Sequence, residues 1–599
     1  MSQQKEMFSR EDLQRMLGVK GWLGKCLSGL IIKVLELDKV NRTQAKYASS
    51  MGPDFARDIL QDQGITYDVP EGELDRIPAD GGFITISNHH FGSLDGLILC
   101  DTVGRRREDY KILTTFMLSL IPNLSPNFLP VNNLGGKNDA RSINSIRMAL
   151  QHIKDGGALG LFPAGEVATY QKEGKRTAVS AQKVIEDKPW APNMIRLIQK
   201  CGLPVVPIYF DGTNSRNFHF LGKIHPRLRT VRLVHELFNK RGTHIKVRIG
   251  QPVTPEEMAK FASAEELGAY LRNLTYALEV NCIEEKKRAD LQQMEPIMDP
   301  VDPAVVKAEL ESIPERILFE CGDYRCYFTR PDDIPGVMTE IARLREVTFR
   351  TVGEGSGKAK DTDIYDTYYK HLILWNIPNG EIAGAYRVGV GKEVLQRPEG
   401  FYTASLFAFR EGLKPYLPKA LELGRSFITP RYRKEVLPLK LLLSGILTAG
   451  ANCEGAEYTM GPVSVSSDFP TFYKSLILRY FLKNHSMENA ERMVGSKTPF
   501  TPDFLRVNPD ALLSGCKSVE DLDRLLQYLS SGTLRLPVLF RKYASLGAKY
   551  VAFNIDKDFN TLDAFIILWL GDMPENSFNS FAKFLTPEQL EELKARLKR

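Results

Sequence analysis

Several absences narrow the field before any motif is read. No run in this 599-residue chain reaches the roughly 18 consecutive apolar residues that a membrane-spanning helix needs, so no span is expected. The opening residues, MSQQKEMFSREDLQRML, are polar and charged, which predicts no secretory leader. The eight cysteines are scattered and form no CxxC pair. Cys321 and Cys326 have no matching second pair, so reduced core thiols are expected and a metal site is not. A formal net charge of +6 is small for this length and does not suggest nucleic acid. There is no internal repeat and no low-complexity tract.

What is present fits two or more domains, because a single core rarely grows past about 250–300 residues. Residues 1–50 read as an N-terminal helical segment. Within it GWLGKCLSGLIIKVLELDKV (21–40) mixes apolar residues with Lys25, Lys33 and Lys39, the pattern of a helix lying at a membrane surface or packed on its own domain. From 81 onward, strand-like runs (81–87, 158–166, 203–210, 246–253) alternate with helical patterns such as 138–157, which predicts an α/β layer domain over 51–290. The charged, proline-punctuated stretch 284–303 reads as a linker, with a boundary near 290. A second α/β pattern fills 291–599. It has a helix at 341–352, two strands over 371–390 around the turn Pro378-Asn379-Gly380, a strand at 420–430 and a helix at 437–451.

The stretch SNHHFGSLDG (87–96) carries the first candidate chemistry. His90 and Asp95 stand in an H-x4-D arrangement. A carboxylate that bonds one imidazole nitrogen fixes the tautomer and leaves the other nitrogen as a base for a substrate hydroxyl. His89 has the longer H-x5-D spacing and is expected to shape the acceptor pocket or pack locally. A helix-capping histidine beside a surface aspartate is the plainer alternative.

Three blocks follow in order: Asn88-His89-His90 with Asp95, then Phe162-Pro163-Ala164-Gly165-Glu166, then VVPIYF at 205–210. This resembles the glycerolipid acyltransferases, over roughly residues 50–285. The resemblance implies His90 as general base, Asp95 as its orienting partner, and an acceptor site shaped by Gly165 and Glu166. Family members that acylate a glycerol phosphate carry an arginine between the first two blocks. Here NFLPVNNLGGKND (127–139) has none, with Lys137 and Arg141 the nearest cations, which implies an acceptor without a phosphomonoester.

In the second half, Arg345, Asp363 and Asp366, Arg387, then Glu422 and Arg425 occur in a spacing that resembles the acyl-homoserine-lactone synthases and, more closely, the ornithine-lipid and glycine-lipid N-acyltransferases of GNAT-like fold. That resemblance implies transfer of a 3-hydroxyacyl group from acyl carrier protein to an amino acid's α-amine, with no bound cofactor. Glu422 is expected as base or amine anchor. Arg345, Arg387 and Arg425 bind a carboxylate or order the acidic side chains, and Asp363 and Asp366 hold the ammonium or structure their loop. A Glu422–arginine pair that only holds strands together is the alternative. The turn PRYRKEVLPLKLL (430–442) lacks the glycines that hold coenzyme A in ordinary GNAT enzymes. Its Arg431, Arg433 and Lys434 would face an acidic carrier protein or form a plain solvated charge run. Residues 536–568 resemble the C-terminal part of the hemolysin-like acyltransferases, and Asn554, Asp556 and Asp563 are expected to be structural.

The expected architecture is therefore α/β in two domains: an acyltransferase-like domain and a GNAT-like domain with a C-terminal extension. The pairing resembles fused bifunctional synthases of ornithine or glycine lipids, working in the cytoplasm against the inner membrane surface. Two other readings stay open. One is a phospholipid acyltransferase with a non-catalytic GNAT-like docking half. The other is a hemolysin-like membrane-active protein.

Overall fold

The computed structural model describes residues 36–115, 121–131, 140–170, 185–224, 232–283 and 294–599. Most of 21–40, and the side chains of Lys137 and Arg141, lie outside the described residues. The chain forms two compact units. One takes residues 1–284 with 504–517 and 527–533, and the other takes 285–503 with 518–526 and 534–599. The C-terminal hundred residues, read as one extension, are thus divided between the units.

The first unit is built on β1 (Thr66–Asp68), β2 (Phe83–Ser87), β3 (Lys111–Thr115), β4 (Phe128–Val131), β5 (Ala158–Leu161), the short pair β6 (Thr169–Tyr170) and β7 (Ile185–Glu186), then β8 (Val205–Phe210) and β9 (His244–Ile249). The main sheet runs β1-β9-β8-β2-β5-β3-β4, parallel except between β8 and β9. All five residues of β2 are buried, as the run FITIS requires of a central parallel strand covered on both faces. The expected strand at 158–166 stops at Leu161, because Pro163 opens a turn. The helix Ser93–Arg106 packs on the helix Gly52–Asp62 through a core that includes Phe55, Ile59, Leu94 and Ile98. The first two motif blocks of this unit sit just past the C-terminal ends of neighbouring strands β2 and β5, where open α/β sheets form their clefts, and the third is β8 itself.

The second unit carries β10 (Ile317–Cys321), β11 (Tyr324–Thr329), β12 (Lys370–Asn376), β13 (Glu381–Val390), β14 (Phe407–Phe409), β15 (Ala420–Ile428), β16 (Tyr458–Ser466), β17 (Val494–Ser496), β18 (Lys549–Asp556) and β19 (Thr561–Trp569). Eight of them form one sheet in the order β10-β11-β12-β13-β15-β16-β19-β18. β15 and β16 are parallel and pair at only three positions, 420–422 against 458–460. Beyond that point β15 stays paired to β13 through Ile428, and β16 stays paired to β19 through Ser466. The sheet therefore parts between Leu423 and Gly461. Only glycine fits at 461, since a Cβ there would lie 2.1 Å from the Leu423 carbonyl oxygen.

No helix among the described residues is long and apolar enough to cross a membrane. None of their histidine, cysteine and carboxylate side chains are grouped to hold a metal ion.

Candidate active sites

Asn88 closes the end of β2. Its Oδ1 accepts from Phe210 N at 2.8 Å, and its Nδ2 donates to Phe210 O at 2.9 Å. This buried two-point clasp ties β2 to β8 and fixes where the next residues leave the sheet. The helix Ser93–Arg106 starts only after Gly92, which has φ +87°. Asp95 turns back over that start, and its Oδ2 accepts from Phe91 N and Gly92 N, both at 3.0 Å.

The same Oδ2 meets the Nδ1 of His89, at 2.9 Å. The pairing of His90 with Asp95 expected from spacing is corrected here. An H-x4-D contact assumes that the helix begins near the histidine, whereas the chain is extended through His89 and turns at Gly92. The backbone alternation of the strand end then sends His89 and His90 to opposite sides. His90 is fully buried, 0% exposed, with Nε2 against the Tyr276 hydroxyl at 3.2 Å. Burial pushes its pKa down to about 3, which leaves a neutral imidazole with no path to a substrate. His89 keeps 16% of its side chain exposed. With Nδ1 donating to Asp95, its Nε2 carries the lone pair.

His89 is held from three more directions. The Phe162 ring stacks on its imidazole at 4.2 Å, Ala168 N donates to its carbonyl at 2.7 Å, and its own N–H donates to Asp187 Oδ1 at 3.2 Å. The second block thus reaches the histidine through Phe162. Gly165 forms the turn, with φ +71°, and Glu166 pairs with Lys188. Phe162 stands out in the sequence only as part of its block, and Asp187 and Tyr276 carry no motif signal at all.

In the second unit the candidate charges meet one another. Arg345 on the helix Pro335–Arg350 donates to Asp366 at 2.8 Å. Arg387 on β13 reaches Asp363 at 2.5 Å and Asp366 at 3.3 Å. Arg425 on β15, at φ +47°, reaches Asp361 at 2.9 Å and Asp363 at 3.4 Å. Three arginines and three aspartates alternate, so the loop 361–366 is fastened to the sheet and their charges cancel. Burial alone would raise the Asp366 carboxyl, but Arg345 and Arg387 hold it well below the usual carboxylate range. Asp363 also caps the turn that follows, accepting from Tyr365 N at 2.9 Å. Of the two roles expected for these residues, the geometry gives the ordering one. The Arg387 guanidinium also lies over Tyr402, Tyr369 and Tyr365, at 4.9, 5.5 and 5.6 Å.

Glu422 is corrected as well. Its Oε1 accepts from Thr403 N at 2.6 Å and from the Thr403 hydroxyl. Its Oε2 accepts from Tyr402 N at 3.1 Å and from the Tyr369 hydroxyl. Four donors fill the lone pairs of a carboxylate that is 1% exposed, leaving none for an amine. Burial raises its pKa. Asp563 contrasts with it. It stands opposite Ser464 in the β16–β19 ladder and takes one hydrogen bond, from the Thr561 hydroxyl at 2.9 Å. It has no ion-pair partner among the described residues, and burial, with Asp556 adding to it, pushes its pKa up to about 8. Asn554 and Asp556 are occupied by local turns and neighbours, through Thr498 N at 2.6 Å and Phe559 N at 3.0 Å.

Residues 26–284 match the family model described as Acyltransferase, and residues 344–443 match the Acetyltransferase (GNAT) domain. A glycine N(alpha)-acyltransferase of Bacteroides thetaiotaomicron is 33% identical over 269 residues, 42% of this chain and 78% of that protein. The chain belongs to the glycine N-acyltransferase family. A lyso-glycine lipid O-acyltransferase of the same organism is 22% identical over 279 residues, 45% of this chain and 97% of that protein. The chain is thus a fused acyltransferase of two types, one GNAT and one glycerolipid-acyltransferase-like.

Proposed function

We propose that this chain makes a glycine lipid by two acyl transfers in series. The GNAT-like unit joins a 3-hydroxyacyl group to the α-amine of glycine. The amine forms an amide bond to the thioester carbonyl, the C–S bond breaks, and the thiol leaves. The first unit then acylates the 3-hydroxyl of that product. Relatives named for these two steps match this one chain, which favours glycine over ornithine. A thioester on acyl carrier protein is the donor in this reading, and the lipid product places the work at the cytoplasmic face of a membrane.

The observation that carries the reading is the His89–Asp95 pair at 2.9 Å. Asp95 holds the Nδ1–H tautomer, so Nε2 takes the proton of the attacking hydroxyl and later returns it to the leaving thiolate. In the second unit the parted strands β15 and β16 offer unpaired edges to an extended thioester arm. Asp563 shares the sheet face of Ser464 beside that opening, and in this reading it takes the proton from the glycine ammonium. Glu422 holds residues 402–403 in place.

Lipid mass spectrometry of a heterologous host tests this. Wild type is expected to yield doubly acylated glycine, His89→Ala only the singly acylated form, and Asp563→Asn neither. Unchanged amino-lipid profiles in both variants would overturn the proposal.

A further inference from the structure

Asp187 lies outside every motif, yet all four of its polar groups are engaged. Its Oδ1 accepts from His89 N at 3.2 Å, and its Oδ2 accepts from Trp190 Nε1 at 3.2 Å. Its own N–H donates to the Tyr276 hydroxyl at 2.8 Å, and its carbonyl accepts from Arg272 at 2.7 Å. The frame behind it is itself fixed. Tyr276 is buried with its hydroxyl against His90, and Arg272 lies over the Tyr276 ring at 4.8 Å while pairing with Glu186 at 3.2 Å. Asp187 is fully buried, at 0% exposure.

The Asp95 contact fixes only one end of the His89 imidazole. The other end, Nε2, is aimed by where the main chain of residue 89 stands. That main chain has two polar groups, and the structure accounts for both: the carbonyl is held by Ala168 and the N–H by Asp187. Without an acceptor at residue 187, a buried N–H is left unpaired and relaxes toward another partner.

We propose that Asp187 is a positioning residue for the O-acyl transfer, fixing the main chain of His89 so that Nε2 meets the acceptor hydroxyl. This rests on the reading of His89 as the base. Burial pushes the Asp187 carboxyl up to about 6, so at neutral pH both oxygens are acceptors, as the two donors facing them require.

The test uses the full chain, a 3-hydroxyacyl-glycine acceptor and an acyl thioester donor. Asp187→Leu is expected to lower kcat for O-acylation about 10- to 100-fold, with acceptor KM within about twofold, the signature of lost aim. Asp187→Asn keeps an acceptor toward His89 N and is expected to return to within about fivefold of wild type. Should Asp187→Leu fail to fold, Tyr276→Phe keeps the ring and removes the group that receives Asp187 N. It is expected to lower kcat about three- to tenfold at unchanged KM. An unchanged kcat in Asp187→Leu, or in Tyr276→Phe where that variant stands in, overturns the proposal. So does a loss confined to KM. His89→Ala separates the two ideas. If it retains O-acylation, the base assignment itself fails. If it is inactive while Asp187→Leu is fully active, only the positioning role fails.

Discussion

Replacing each of the two adjacent histidines should give opposite results. His89→Ala removes the group that faces Asp95 at 2.9 Å, and the expected loss in O-acylation is about 10²- to 10⁴-fold, the usual worth of a placed general base. His90→Phe keeps an aromatic ring, slightly larger and without a nitrogen, and is expected to stay within about tenfold of wild type. Its effect falls on stability, and the size follows from the structure. The imidazole pKa moves from 6.5 to about 3 on burial, a difference of about 3.5. At 1.36 kcal/mol per unit that is about 5 kcal/mol for protonating His90 in place. The folded-state pKa is the lower one, so the contribution is complete above pH 6.5 and is lost as pH falls from 6.5 toward 3. His90→Phe removes this dependence, at a cost of about 1 kcal/mol near pH 7 because the Tyr276 hydroxyl loses its acceptor. Hydrogen exchange at the amides of β2 and β8, followed from pH 7 to pH 4, reads the first unit alone. The wild-type protection should fall more steeply than that of His90→Phe. Parallel pH slopes would refute the burial argument. An inactive His90→Phe beside an active His89→Ala would refute the assignment of the base.

The second unit gives three further expectations. Glu422→Gln puts an NH2 among four donors, so the unit should lose about 2–4 kcal/mol and N-acylation should fall with it, read by urea unfolding alongside the assay. Asp563→Asn should lose N-acylation without losing stability. Burial pushes the wild-type carboxyl from 3.8 up to about 8, so the stability it contributes falls as pH rises from about 4 and is lost by pH 8. The variant's relative stability should therefore grow over that range and level off above pH 8, and wild-type N-acylation should rise with pH up to that point. A pH-independent rate between 6 and 9 contradicts the assignment. Gly461→Ala drives a methyl into the Leu423 carbonyl where the strands part, and should abolish N-acylation while O-acylation persists.

Where the sequence was legible, one physical rule sufficed. FITIS carries no charged side chain and only two small hydroxyls, so it reads as a buried strand, and the hairpin around Pro378-Asn379-Gly380 appears as β12 and β13. The H-x4-D spacing points to a His90–Asp95 contact only where the helix begins at once. The non-helical path through Gly92 adds the residue that brings His89 to Asp95. Asp187 and Tyr276 stand 98 and 187 positions after His89, and a contact at that separation leaves no local pattern. The isolation of Asp563 is likewise a property of what surrounds it, which no local pattern shows.

In the second unit the charge pattern closes on itself, for a reason that generalises. Arginine and aspartate at regular spacing look like a binding surface for a zwitterion, but the same complementarity that would bind glycine binds one another first, and without the cost of ordering a ligand. Arg345, Arg387 and Arg425 find Asp361, Asp363 and Asp366 within 3.4 Å. A carboxylate is chemically available only where that balance fails. Glu422 is excluded because donors saturate it, and the aspartates because arginines neutralise them. Asp563, with one hydroxyl donor and no ion-pair partner among the described residues, is a carboxylate whose environment still favours accepting a proton. Glu354 is another: it takes a hydrogen bond from the Ser464 hydroxyl at 3.1 Å, and burial raises it to about 7.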